Sequence, residues 1–196
     1  MIIHDVVQGT PEWHALRAGK MTASHAQEIG NAGKGLGTYV YKTLAAKHST
    51  AEPESFTNEH MQRGNELEAQ ARAMYELENN VSVQEVGFIE HDEHSGASPD
   101  GLIADDGGLE IKCHDDVKHF KIIVNGEKEL DSKYLWQIQM NLFVTGRKWW
   151  DYVAYNPNFA QSLVVFRIEP DEEKHAKLLA GLEKGVELIN EIEKTL

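Results

Sequence analysis

Cationic side chains are scarce in this chain: 19 Lys and Arg stand against 32 Asp and Glu, a net charge of −13 at pH 7. That deficit excludes a broad basic face, because nucleic-acid phosphates are held chiefly by Lys and Arg. It is unevenly spread: residues 1–48 carry five cations against three acids, residues 49–168 ten against twenty-one, and residues 169–196 four against eight. A polyanionic partner would therefore have to be held in a shaped cleft or channel. Cysteine is almost missing as well. Cys113, the single one, rules out an intramolecular disulfide and argues against a Cys-based zinc site; it is expected to act as a small buried hydrophobe. No stretch approaches the roughly 18 to 20 apolar residues that span a bilayer, and Met1-Ile2-Ile3-His4-Asp5 lacks a basic n-region. The expectation is a cytoplasmic protein with no membrane partner. With no repeat or linker, the length suits one domain over residues 1–196.

What is present is concentrated in Ala97-Ser98-Pro99-Asp100-Gly101 and Leu109-Glu110-Ile111-Lys112-Cys113. Residues near 86–90, 98–104 and 109–113 read as strands, with Asp105-Asp106-Gly107-Gly108 as the turn before the last. Strand side chains alternate, so Glu110 and Lys112 share one face while Leu109, Ile111 and Cys113 point into an apolar layer. Asp100, across the hairpin, can then meet Glu110. Two converging carboxylates are the donor chemistry of Mg²⁺, a hard cation that keeps several waters and can generate an attacking hydroxide. The Ile111 carbonyl is a further candidate oxygen ligand, and Lys112 adds a cation beside the site. Each piece alone is ordinary, since Pro-Asp-Gly is a common turn and Glu-x-Lys a common solvated face; the combination carries the signal.

Thr10-Pro11 opens a helix through Arg17, and a short helix is predicted near Thr22-Ala23-Ser24. Residues 30–37 read as a glycine-rich loop that lacks the preceding strand and Gly-Lys-Thr ending of a phosphate loop. Helical patterns cover 39–48, 58–79, 132–145 and 171–196, with strands at 149–155 and 162–168. Residues 118–131 carry a turn signal at Asn125-Gly126 and otherwise no clear period. His91 and His94 are read as surface residues, their spacing being poor for one metal ion, with Asp92 a candidate support for the site. The order of elements predicts an α/β fold, a central mixed sheet flanked by helices.

Four further segments stand in order around the central motif: Trp13-His14-Ala15-Leu16-Arg17-Ala18-Gly19, Met21-Thr22-Ala23-Ser24, Arg63-Gly64-Asn65-Glu66-Leu67-Glu68-Ala69-Gln70-Ala71-Arg72, and Tyr134-Leu135-Trp136-Gln137-Ile138-Gln139-Met140. Together they resemble the lambda exonuclease family, phage recombination nucleases of the PD-(D/E)XK superfamily. The resemblance implies that fold for nearly the whole chain. It implies Asp100, Glu110 and the Ile111 carbonyl as metal ligands, Lys112 as catalytic lysine, and Glu68 and Gln137 as catalytic residues that complete the site. It also implies Arg17 and Ser24 as the receptor for a terminal 5′-phosphate, and Met61 near the position of a duplex-parting wedge. Read without it, Glu68 is an i, i+4 ion-pair partner of Arg72, Ser24 a helix cap, and Gln137 a buried hydrogen-bonding residue.

The activity implied is Mg²⁺-dependent digestion of linear double-stranded DNA from 5′ to 3′, with Mn²⁺ as a substitute ion. It would release mononucleotides and leave a 3′ single-stranded tail. The partners implied are duplex ends, two further copies in a homotrimer, and a single-strand annealing recombinase. A structure-specific endonuclease with the same Asp100, Glu110 and Lys112, and a catalytically silent DNA clamp, are the alternatives.

Overall fold

Helix α1 (Pro11–Arg17) begins as its sequence predicts, with the Thr10 hydroxyl accepting the Trp13 amide at 3.3 Å and Pro11 in the first turn. The computed structural model describes residues 1–51 and 59–196, with side chains described outside 59–63 and 65. Strands β1 (Ile2–His4), β2 (Met21–Thr22), β4 (Phe88–Glu90) and β5 (Ser95–Ala97) form a small sheet in the order β1-β4-β5-β2. Strands β3 (Val83–Gln84), β6 (Gly101–Ile103), β7 (Gly107–Cys113), β8 (Trp149–Tyr155) and β9 (Leu163–Ile168) form a larger one in the order β3-β6-β7-β8-β9. This second sheet is the expected mixed sheet: β7 and β8 are parallel and every other neighbouring pair is antiparallel. Parallel neighbours require a crossover, and here it contains α5 (Asp116–Asn125) and α6 (Ser132–Thr145).

The larger sheet is covered on both faces, which its alternation makes legible. Along β8, Trp150, Tyr152 and Ala154 join a core with Met21, Ile29, Leu36, Ile138, Leu142, Leu178 and Leu182. Val153 and Tyr155 face the opposite way and pack with Ala71, Tyr75, Leu109 and Ile111. Helix α4 (Glu59–Asn79) closes this second layer, and Cys113, only partly buried, packs at its margin. Helix α6 closes the first layer together with α2 (Ala26–Asn31), α3 (Lys34–His48) and α7 (Glu172–Glu193). Among the described residues no helix is long and apolar enough to cross a membrane.

The structure differs from the sequence-based expectation in several places. The stretch 98–104 is not one strand: β6 covers Gly101–Ile103, and residues 98–100 lead into it from β5 in the other sheet, because Pro99 has no amide to donate to a ladder. Residues 30–37 are not a loop: α2 runs to Asn31, Ala32 takes a left-handed conformation, and α3 starts at Lys34. Gly30 is there for close approach, since a Cβ would lie 2.3 Å from the Trp136 ring. The unfavourable helix propensity of Gly35 and Gly37 is outweighed by the stripe Leu36, Tyr39, Val40 and Leu44, all buried. Met21–Thr22 is a strand, and the predicted short helix follows it as a 3₁₀ turn at Ala23–His25 and then α2. Residues 116–125 are helical, capped by Asp115 accepting the Lys118 amide at 2.9 Å. The helix stops at Gly126, as the Asn125-Gly126 signal predicts.

Behind β8, Asp151 is 2% exposed and accepts from the Tyr75 hydroxyl at 2.6 Å and from Arg167 at 2.8 and 2.9 Å. Arg167 stacks over the Trp149 ring at 3.7 Å. Asp151→Ala leaves the buried Tyr75 hydroxyl without its acceptor. We expect a loss of about 1–3 kcal/mol in urea unfolding, the usual cost of an unsatisfied buried polar group; an unchanged midpoint would contradict this reading of the network.

Candidate active site

The antiparallel register of β6 and β7 pairs Gly101 with Leu109, which sets Asp100 beside Glu110 as the hairpin reading requires. The turn between the strands is held from outside by Arg147, whose Nη1 donates to the carbonyls of Ile103, Ala104 and Gly107 at 3.2, 2.8 and 2.7 Å. Asp100 Oδ2 accepts the Ile111 amide at 2.6 Å, fixing the carboxylate across β7.

Glu110 lies on the α6 face of β7 and is fully buried. Its Oε1 is 2.5 Å from Lys112 Nζ and accepts from Gln137 Nε2 at 2.6 Å; its Oε2 accepts from Asn141 Nδ2 at 3.2 Å. Gln137 and Asn141 stand one turn apart on α6, so one helix face reaches both oxygens. Burial and the neighbouring Asp100 push the Glu110 carboxyl up to about 7. Burial alone would lower the Lys112 ammonium, but Glu110 and Asp100 outweigh it and hold the lysine above its ordinary value. Its Nζ also sits 5.1 Å from the Tyr134 ring centroid.

Glu68, on α4, lines a cavity of about 380 Å³ together with Asp100, Gln8, Arg72 and Glu85. Burial, then Asp100, raise its carboxyl to about 7. The i, i+4 ion pair is also present, with Arg72 Nη2 donating to Glu68 Oε1 at 3.0 Å. Glu68 is thus an ion-pair partner and a neighbour of the carboxylates at once. The side chain of Met61 lies outside the described residues. Asp92 is spent on the β4–β5 turn, where Oδ1 accepts the His94 amide at 2.9 Å and the Ser95 hydroxyl at 2.8 Å.

Among the described residues no group of three or more His, Cys, Asp or Glu is placed to hold a metal ion by itself. The donor set still fits a hard cation. Asp100, Glu110 and the Ile111 carbonyl offer oxygen only, and Mg²⁺ completes such sets with water.

Arg17 is not a surface side chain. Its Nη1 donates to Ser98 Oγ at 2.9 Å, its Nη2 to Thr22 Oγ1 at 3.2 Å, and its guanidinium lies 4.2 Å from the Trp13 ring centroid. Ser24 joins through Thr22, the two hydroxyl oxygens being 3.3 Å apart. Arg17, Ser24, Thr22, Lys20, Lys42 and His25 are among the residues lining a second cavity of about 330 Å³, whose lining among the described residues has no Asp or Glu. In a chain of net charge −13 that is a local reversal of sign. Thr22 and Ser98 do not stand out in the sequence, although both lie inside segments that do.

Ser98-Pro99-Asp100 joins the two sheets, running from β5 to β6. One end of this tripeptide holds Arg17 and the other supplies a carboxylate. The basic recess and the acidic centre with its buried lysine are thus tied through one short segment, Arg17 being bonded to Ser98 and Asp100 to the Ile111 amide. The chain belongs to the YqaJ-like viral recombinase domain family, lambda exonuclease-like proteins, whose pattern it matches over residues 12–148. Among solved structures it is similar to the alkaline exonuclease LHK-Exo from Laribacter hongkongensis, with 34% identity, a TM-score of 0.84, and 95% of this chain and 96% of that one covered. The same figures hold for LHK-Exo solved with dAMP. A phage-related exonuclease from Haemophilus somnus 129PT shares the fold at 15% identity and a TM-score of 0.66, covering 93% of this chain and 98% of that one. No curated protein matched. The protein is thus a member of a phage-type exonuclease family with the PD-(D/E)XK fold.

Proposed function

We propose that the protein digests linear double-stranded DNA from 5′ to 3′, releasing mononucleotides and leaving a 3′ single-stranded tail. The observation that carries this reading is the Ser98-Pro99-Asp100 tripeptide, which ties the basic recess to the acidic centre. A 5′-phosphate held by Arg17 through planar, charge-assisted bonds, with Ser24 and Ser98 beside it, puts a neighbouring phosphodiester of the same strand near Asp100, Glu110 and Lys112. That coupling selects an end and a polarity. Specificity for sequence is low, because contacts to phosphate position a strand without reading its bases.

Asp100, Glu110 and the Ile111 carbonyl hold the divalent ion, Mg²⁺ with Mn²⁺ as a substitute. When bound, it supplies Lewis-acid stabilisation of the phosphate and lowers the pKa of water. Lys112 orients the attacking water and stabilises negative charge developing on the phosphoryl oxygens. Gln137 holds Glu110 in place, and Glu68 closes the acidic centre from α4. The similar LHK-Exo has been solved in complex with dAMP, a mononucleotide, which is consistent with the product class proposed here. Residues 1–196 act as one nuclease domain in the cytoplasm, within a homotrimer that hands its 3′ tail to a single-strand annealing recombinase.

Arg17→Ala tests the recess. On duplexes differing only in 5′-phosphate or 5′-hydroxyl, the wild type should prefer the phosphate. The variant should lose about tenfold or more on phosphorylated ends, the worth of a charge-assisted hydrogen bond of about 1.5–3 kcal/mol, and change little on hydroxyl ends. Equal losses on both ends would remove the assignment.

A further inference from the structure

We infer that Asn141 is a positioning residue that fixes the rotation of the Glu110 carboxylate and so sets the affinity of the acidic centre for its divalent ion. The inference rests on the proposed metal-dependent reading of that centre. Glu110 Oε1 already has two cationic or amide neighbours, Lys112 and Gln137, at 2.5 and 2.6 Å. Those bonds leave the carboxylate free to swing about Oε1. The bond from Asn141 Nδ2 to Oε2 at 3.2 Å supplies the second anchor. Both side chains are fully buried, so no bulk water competes for the contact.

The other end of the amide shows why asparagine stands there. The ionised Glu110 carboxylate, the form that takes the Lys112 and Gln137 donors, accepts and does not donate, so the amide nitrogen of Asn141 faces it. Asn141 Oδ1 is then left buried with no hydrogen-bond partner among the described residues. An orphaned buried acceptor costs stability, and packing alone would favour an apolar side chain at a fully buried position. The donor is what the position retains. Its backbone role is separate: the Asn141 carbonyl accepts the Thr145 hydroxyl at 2.7 Å, a contact that any side chain at 141 leaves intact.

Labour is thereby divided along α6. Gln137 shares Oε1 with the lysine, and among the described residues Asn141 is the hydrogen-bond donor to Oε2. Groups that orient a ligand in this way typically change metal affinity or activity about 10- to 100-fold when lost.

The test compares Asn141→Leu, which keeps bulk and removes the donor, with Asn141→Ser, which keeps a donor and leaves room for a bridging water. Mn²⁺ binding to the DNA-free protein is followed by electron paramagnetic resonance, beside kcat and KM on a phosphorylated duplex across a Mg²⁺ series. For Asn141→Leu we expect Mn²⁺ affinity about 10- to 100-fold weaker, a matching rise in the Mg²⁺ needed for half-maximal rate, and an unchanged KM for ends. Asn141→Ser should recover most of the loss. If the leucine variant does not fold, Asn141→Ala takes its place. Wild-type Mn²⁺ affinity in the donor-free variant, or a serine variant as impaired as the donor-free one, would overturn the role of Asn141. A wild-type protein that binds no Mn²⁺ would instead remove the metal-dependent reading itself.

Discussion

Lys112→Ala is expected to reduce cleavage of a duplex end on the order of 10²- to 10³-fold at saturating Mg²⁺, the usual cost of removing one preorganised group that stabilises developing charge. The ammonium sits 2.5 Å from Glu110 Oε1 and remains charged because Glu110 and Asp100 outweigh its burial. No other Lys or Arg among the described residues forms an ion pair with Glu110 or Asp100, so the loss is not made good by a neighbour. Two features should keep the variant folded and able to bind. Gln137 and Asn141 still donate to Glu110, and the Arg17 recess draws on Thr22 and Ser98, which Lys112 does not touch. Single-turnover rates and anisotropy of a labelled duplex separate the two effects. A rate within a few-fold of wild type would displace Lys112 from the chemistry; lost binding with the rate would mean that it serves the fold or the DNA contact instead.

The second large effect concerns stability, and it reverses sign with position. Gly181 lies where α7 meets α2, and a Cβ there would be 1.9 Å from the Ile29 carbonyl oxygen and 2.7 Å from its carbon. Backbone cannot move aside as a side-chain tip can. Overpacking should cost about 1–3 kcal/mol; after the helix-propensity gain of about 1 kcal/mol, Gly181→Ala is expected to be destabilising by up to about 2 kcal/mol net. Gly37, in the first turns of α3, has open space around the same built atom. Gly37→Ala should stabilise by about 0.5–1 kcal/mol. Urea midpoints of the two variants measure the contrast, and a stabilising Gly181→Ala would refute the close approach of α2 and α7.

These glycines also mark where the sequence could not be read. Gly30, Gly33, Gly35 and Gly37 look like loop punctuation, yet Gly30 answers to Trp136, which is 106 residues away. Contact across such a distance has no local signature. Residues 116–125 were opaque for a related reason. Val117, Phe120 and Val124 are exposed, so the buried side of α5, with His119 and Ile122, does not dominate the pattern. Strand β8 is the opposite case. Its existence and bounds, residues 149–155, were legible from a β-rich run, whereas its parallel pairing with β7 depends on the crossover through α5 and α6 and has no local signature.

The candidate site divides along the same line. Asp100, Glu110 and Lys112 were visible because strand alternation and a hairpin fix their relation within a dozen residues, and the register bears out that geometry. Gln137 reaches Glu110 only through the fold, and only the family resemblance pointed to it. Ser98 and Thr22 anchor Arg17 from two different strand ends; both are common residue types in ordinary spacing, with nothing local to distinguish them.

We propose that the basic recess and the acidic centre act as one end-recognising nuclease. The most direct test is a linear duplex with a 5′-phosphate and a label on one chosen end, incubated with Mg²⁺ or with EDTA beside a covalently closed circle. The expected result is Mg²⁺-dependent release of mononucleotides from the 5′ end, silence in EDTA and an intact circle. Nicking of the circle would contradict it in favour of an endonuclease, and binding without cleavage would contradict it in favour of a silent clamp.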